Sequence, residues 1–69
     1  MMPTPRQRHL LAHLGEIRPF RRGSRRLSYR LGDEDCSDGV DALVARGMLI
    51  RQNGGLQLRP TAVAEAFLA

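Results

Sequence analysis

Apolar residues recur along this chain at spacings that name its elements. Leu10, Leu11 and Leu14 follow Thr4-Pro5 three and four residues apart, the spacing of one helix face. Threonine suits an N-cap and proline the first helical turn. Gly15 is placed to stop the run, so a helix is predicted over 5–14 with Leu10, Leu11 and Leu14 as its stripe. The period then changes. Leu27, Tyr29 and Leu31 alternate with Arg26, Ser28 and Arg30, which is the period of a half-buried strand. Ile17 and Phe20 precede Arg22-Gly23-Ser24-Arg25, a reasonable turn. The segment therefore predicts a β-hairpin whose apolar face is Leu27, Tyr29 and Leu31. A helix over 16–22 competes for its first strand, and Pro19 weighs against it.

Residues 32–35 read as a turn with three acids. Ser37 follows as an N-cap, with Asp38 in the first turn where the helix dipole favours negative charge. Val40, Leu43 and Val44 form an inward stripe, and Gly47 ends that helix. Met48, Leu49 and Ile50 open a strand, Asn53-Gly54-Gly55 is a hairpin turn, and Leu56 and Leu58 alternate on the return strand. Pro60 closes it. A last helix is predicted over 61–68 with Val63, Ala66 and Phe67 facing inward. The pattern predicts an α+β fold in the order helix, β-hairpin, helix, hairpin, helix. It is read as one domain over 1–69, with 1–4 as a flexible lead.

Size and charge sharpen this picture. A chain of 69 residues buries only roughly 60% of its unfolded surface, so it has little material for the walls of a catalytic pocket. With one cysteine, Cys36, and two histidines, neither a disulfide framework nor a structural zinc site is expected. All eleven basic residues are arginine, against seven acids, for a formal net charge of +4. A small basic domain points to nucleic acid or another polyanion, and arginine suits planar, two-pronged contacts to phosphate and guanine. No apolar run approaches the roughly 20 residues that span a bilayer. No targeting signal is read in the opening residues. The expected compartment is the cytoplasm, which a single free cysteine fits, and no membrane partner is expected.

The stretch over 40–67 carries a family resemblance. Leu43, Gly47, Leu49 and Ile50 fit the end of a recognition helix running into a strand. Asn53-Gly54-Gly55 fits the tip of a wing, and Leu56, Leu58, Pro60 and Thr61 fit the return strand and the start of a further helix. This resembles the back half of a bacterial winged helix-turn-helix domain. The resemblance implies a small bacterial or phage winged-helix protein. It further implies DNA binding, with the helix over 37–46 as the base-reading element and the wing at the phosphate backbone or minor groove. The front half departs from the pattern, since an arginine-rich hairpin stands where a standard member has its middle helix.

Six arginines, Arg18, Arg21, Arg22, Arg25, Arg26 and Arg30, fall within thirteen residues. A basic hairpin of this kind can grip phosphates or enter a minor groove. A solvated edge that resists strand-to-strand association is the plainer alternative. The second helix adds Arg46 on its outward side, together with Asp38, Asp41, Ala42 and Ala45. The second hairpin adds Arg51, Gln52, Asn53 and Arg59, with Arg51 and Arg59 expected across from each other. Five of the seven acids lie between 33 and 41, which weighs against insertion of that helix into a major groove, where the N-terminal residues lead. Capping and neutralisation of the hairpin explain them as well. His9 and His13 are four apart, but two helical histidines make a weak metal motif. Cys36 has no base or orienting group beside it and reads as a small packing residue. No catalytic constellation, cofactor site or metal site is expected, and the chain is read as not an enzyme.

Two functions remain open on these residues. One is a DNA-binding protein, a transcriptional regulator or mobile-element factor, acting as a homodimer because one small module buries little surface on DNA. The other is a protein-interaction module of the same fold, for example a phage-type inhibitor whose acidic and basic faces complement a larger nucleic-acid machine.

Overall fold

The structure is a computed structural model that describes residues 2–23 and 26–68 and, within the strands, omits the side chains of Arg22 and Arg26. It is a small α+β arrangement of three helices and two antiparallel sheets. Helix α1 (Pro5–Ala12) is followed by strands β1 (Ile17–Arg22), β2 (Arg26–Leu31) and β3 (Glu34–Asp35). Helix α2 (Ser37–Ala45), strands β4 (Leu49–Gln52) and β5 (Gln57–Pro60), and helix α3 (Ala62–Leu68) complete the chain. The first sheet has the order β1-β2-β3, and the second contains β4 and β5 alone.

Helix α1 starts as its sequence dictates. The Thr4 hydroxyl accepts from the Gln7 N–H at 3.1 Å, and the Gln7 side chain accepts from the Thr4 N–H at 3.0 Å, a reciprocal capping box. The helix stops two residues earlier than predicted. The His13 N–H reaches both His9 and Leu10 carbonyls, and a 3₁₀ turn over Leu14–Glu16 follows. Tightening to shorter bonds is a common way to satisfy the last carbonyls of a helix. Leu10 and Leu11 are buried, and Leu14 packs against the core from this turn.

The segment over 17–22 is a strand and not a helix. In the β1–β2 ladder Ile17 faces Leu31, Pro19 faces Tyr29 and Arg21 faces Leu27, while Arg18 faces Arg30, Phe20 faces Ser28 and Arg22 faces Arg26. Pro19 is tolerated because β1 is an edge strand. The predicted turn at Ser24-Arg25 lies outside the described residues. The region read as a plain acidic turn turns only at Gly32-Asp33. Glu34 and Asp35 then pair back onto Leu31 and Arg30. Ser37 does not cap α2. Its hydroxyl instead accepts from the Tyr29 N–H at 2.9 Å and donates to the Tyr29 carbonyl at 3.4 Å. It thereby continues the β3 side of β2 past the Arg30–Asp35 pair. The carboxylate of Asp35 accepts from the Ser37 N–H at 2.9 Å and satisfies one of the free donors of that helix start.

Helix α2 ends in a Schellman motif. Gly47 has a φ of +74°, its N–H reaches Val44, and the Met48 N–H reaches Leu43, which satisfies the final carbonyls. In the second hairpin Leu56 is not on the return strand. It is 57% exposed and has helical backbone angles, and β5 begins at Gln57. Its displacement follows from a 3₁₀ turn with positive φ at Asn53, Gly54 and Gly55. The inward face of α3 is also shifted. Ala64 is fully buried and Phe67 packs against the core, whereas Val63 is 53% exposed and Ala66 is exposed. The Thr61 hydroxyl donates to the Gly47 carbonyl at 2.7 Å, and the Thr61 N–H donates to Met48 at 3.0 Å. These bonds fix the phase of the helix before its apolar residues can choose it.

The core joins all these layers. Leu10, Leu11, Ile17, Tyr29, Cys36, Val40, Leu43, Met48, Leu49 and Ala64 are buried in one cluster. Among the described residues, no helix is long and apolar enough to cross a membrane.

Candidate nucleic-acid interface

The strand alternation that buries Ile17 and Tyr29 and half-buries Leu31 places Phe20 and Arg30 on the opposite face of the sheet together with the Arg18 backbone position, while the Arg18 guanidinium turns back along the β1 edge to the Gly15 carbonyl. Arg18 and Arg30 are Cα partners, and Phe20 and Ser28 are the next pair along the ladder. The Arg30 guanidinium lies 5.8 Å from the Phe20 ring centroid, within the range of a cation–π contact. Asp35 pairs with Arg30 from the other side. A row of two positive charges and one negative charge therefore crosses the sheet. Arg22 and Arg26 are Cα partners two steps further on; their side chains, and all of Arg25, lie outside the described residues. Arg21 belongs to the other face, opposite Leu27, and is exposed without a side-chain partner among the described residues.

Like charges directly opposite one another destabilise a ladder. Here Arg18 opposes Arg30, and beyond the Phe20–Ser28 pair the backbone register brings Arg22 and Arg26 together as Cα partners. Arg18 is held by its own backbone, donating through Nη1 to the Gly15 carbonyl at 2.7 Å.

The remaining predicted contact residues fall elsewhere. Arg46 turns back to α1, where it donates to the Gln7 side chain and, at 3.1 Å, to the Met2 carbonyl. Arg51 forms an ion pair with Asp41 on α2. Arg51 and Arg59 are not across from each other, because Arg51 pairs with Leu58 and Arg59 with Ile50. This one-residue offset puts the two arginines on opposite faces of the second hairpin. Asn53 donates to the Gln57 side chain at 2.8 Å, and Gln52 pairs with Gln57 across the hairpin. Arg59 is exposed and has no side-chain partner among the described residues.

Four of the seven acids are engaged within the molecule. Glu34 pairs with Arg6, Asp41 with Arg51 and Glu16 with His13, and Asp35 supports the start of α2. His13 meets Glu16 at 2.9 Å, and its ring sits against that of His9 at 4.5 Å. Among the described residues, no group of three His, Cys, Asp or Glu side chains is placed to hold a metal ion. Cys36 is buried, and that burial raises its thiol pKa, with nearby Arg6 pulling the other way.

Residues not anticipated as part of the site complete it. Tyr29 is only 2% exposed, and its hydroxyl donates to the Gly55 carbonyl at 2.6 Å, which fastens β2 to the tip of the second hairpin. Phe20 sits at the same alternation as Arg18 and Arg30, a signal present in the sequence. Between β1 and β5 lies an open groove of about 330 Å³ lined by Leu14, Gly15, Ile17, Arg18, Pro19, Tyr29 and the residues from Leu56 to Arg59. Comparison with protein-family models, with curated proteins and with solved structures returns no match.

Proposed function

We propose that this chain is a small DNA-binding protein of winged-helix type, a transcriptional regulator or mobile-element factor that works without catalysis in the cytoplasm. In this reading the β1–β2 hairpin is the main arm and the β4–β5 hairpin is the wing. The observation that carries the proposal is the pairing of Arg18 with Arg30 beside Phe20, with Arg22 and Arg26 as Cα partners further along the same ladder. Such a ladder costs stability on its own, and phosphates relieve that cost. A two-stranded ribbon also fits the width of a major groove. Helix α2 has a lesser part, because its exposed leading residue is Asp38 and its Arg46 is engaged with α1.

The alternative of an acidic, DNA-mimicking face loses support from the ion pairs that occupy Glu34 and Asp41.

Fluorescence anisotropy with labelled duplex DNA at several salt concentrations tests the proposal. Contact with roughly five phosphates gives a slope of log K against log salt of about −4 to −5. An Arg22/Arg25/Arg26-to-Ala variant is expected to flatten that slope by about 2 to 3. Absence of binding at low salt sinks the DNA reading.

A further inference from the structure

Two edge strands face one groove. Among the described residues strand β1 pairs only with β2, and β5 only with β4, and residues of both line the cavity between them. The groove is poorly made for strand addition. Pro19 interrupts β1 and Pro60 closes β5, and neither has the N–H that a ladder needs. It offers side-chain donors instead. Arg18 stands on one wall, with Arg59 and Gln57 on the other. The Arg18 Nη1 bond to the Gly15 carbonyl holds its guanidinium at the groove, and its Nε and Nη2 have no acceptor among the described residues. Arg59 has no partner among them at all. No carboxylate lines the cavity. The Tyr29 hydroxyl bond to Gly55 joins the two walls, so the arginines are presented by one connected frame.

We propose that this groove is a phosphate seat, in which Arg18 and Arg59 together hold one phosphate of a nucleic-acid backbone. Guanidinium groups match phosphate geometry in a two-pronged fashion, and two uncompensated guanidinium groups lining one cavity favour an anion between them. The identity of the natural occupant rests on the DNA reading above; the seat itself is a property of the groove. It makes the hairpin and the wing one continuous contact path.

Two measurements on the full chain test this. In the first, inorganic phosphate is titrated while arginine Nε–H resonances are followed by NMR. The expected result is a saturable shift of Arg18 and Arg59 together, with the Arg18 shift lost in Arg59→Ala. An equal drift of all arginines, or no shift of these two, overturns the seat. In the second, duplex DNA is titrated against Arg59→Ala and Arg8→Ala. Arg8 is exposed on α1 and lies outside the groove. Loss of one phosphate contact reduces the salt slope by about 0.9 in Arg59→Ala and leaves it unchanged in Arg8→Ala. Equal slopes in the two variants overturn the seat while leaving DNA binding intact. Shifts at Arg18 and Arg59 with inorganic phosphate, without any DNA binding, would overturn the DNA reading and support the seat for phosphate from another source.

Discussion

Tyr29 combines a buried ring with one directed hydrogen bond, and its neighbours depend on both. Replacing it with Phe leaves the Gly55 carbonyl without its donor, a loss of about 1–2 kcal/mol. A lower denaturation midpoint at an unchanged m-value is the expected readout. Gly55 is equally constrained. Its φ is +92°, and an added Cβ would stand 2.7 Å from Leu27 Cδ2 and 3.1 Å from the Tyr29 hydroxyl. Gly55→Ala is therefore expected to destabilise by about 2 kcal/mol or more, since backbone strain and crowding add. Cys36 gives a pH signature. Its thiol pKa is raised from the ordinary 9.0 by burial, so below that value both folded and unfolded chains hold the proton. Above it the unfolded thiol ionises first, and stability falls as pH climbs toward the folded pKa. Cys36→Ala should remove that part of the alkaline loss, and the wild type minus variant difference in unfolding free energy measured from pH 8 upward checks the sign.

At the scale of elements, the pattern of apolar residues was readable wherever local chemistry decides. Thr4-Pro5, Gly47 and Asn53-Gly54-Gly55 act within a turn of their own position, and the helices and hairpins they delimit were legible. What was not legible depends on partners far along the chain. Ser37 has the composition of a cap, yet it serves Tyr29 eight residues away. The inward face of α3 is set by Thr61 gripping Gly47, and no periodicity within 61–68 contains that bond. Arg46 and Arg51 look like surface arginines, but Gln7 and Asp41 take them. The arginine ladder itself was legible as alternation, and the pairing of Arg18 with Arg30 required the register. The contact of α1 with α2 yields a further test. An added Cβ at Gly39 would lie 2.5 Å from Leu10 Cδ1, and Leu10 is fully buried. Gly39→Ala gains up to about 1 kcal/mol of helix propensity and loses about 1–3 kcal/mol to overpacking. A net fall in thermal midpoint is expected.

For the molecule as a whole, the ion pairs are exposed and contribute little. Arg6–Glu34 and Arg51–Asp41 have side chains that are 40–60% accessible, where such pairs are worth roughly 0–1 kcal/mol. The opposed arginines weigh against folding at low salt, under an overall charge of +4. Sodium chloride raised from about 0.01 to 0.15 M shortens the screening length from about 30 to 8 Å. The thermal midpoint is expected to rise with it, and the rise is expected to shrink in Arg30→Gln. A midpoint that falls with salt would show that ion pairing outweighs repulsion. The edge position of β1 gives the same charges a second consequence. Two copies meeting edge to edge along β1 would bring Arg18 and Arg21 of one against those of the other. Like charge on this edge strand therefore weighs against that particular edge-to-edge pairing. Under the proposed nucleic-acid reading, a bound polyanion would neutralise that charge, and edge-to-edge packing of copies would then be expected in the bound state and not before it.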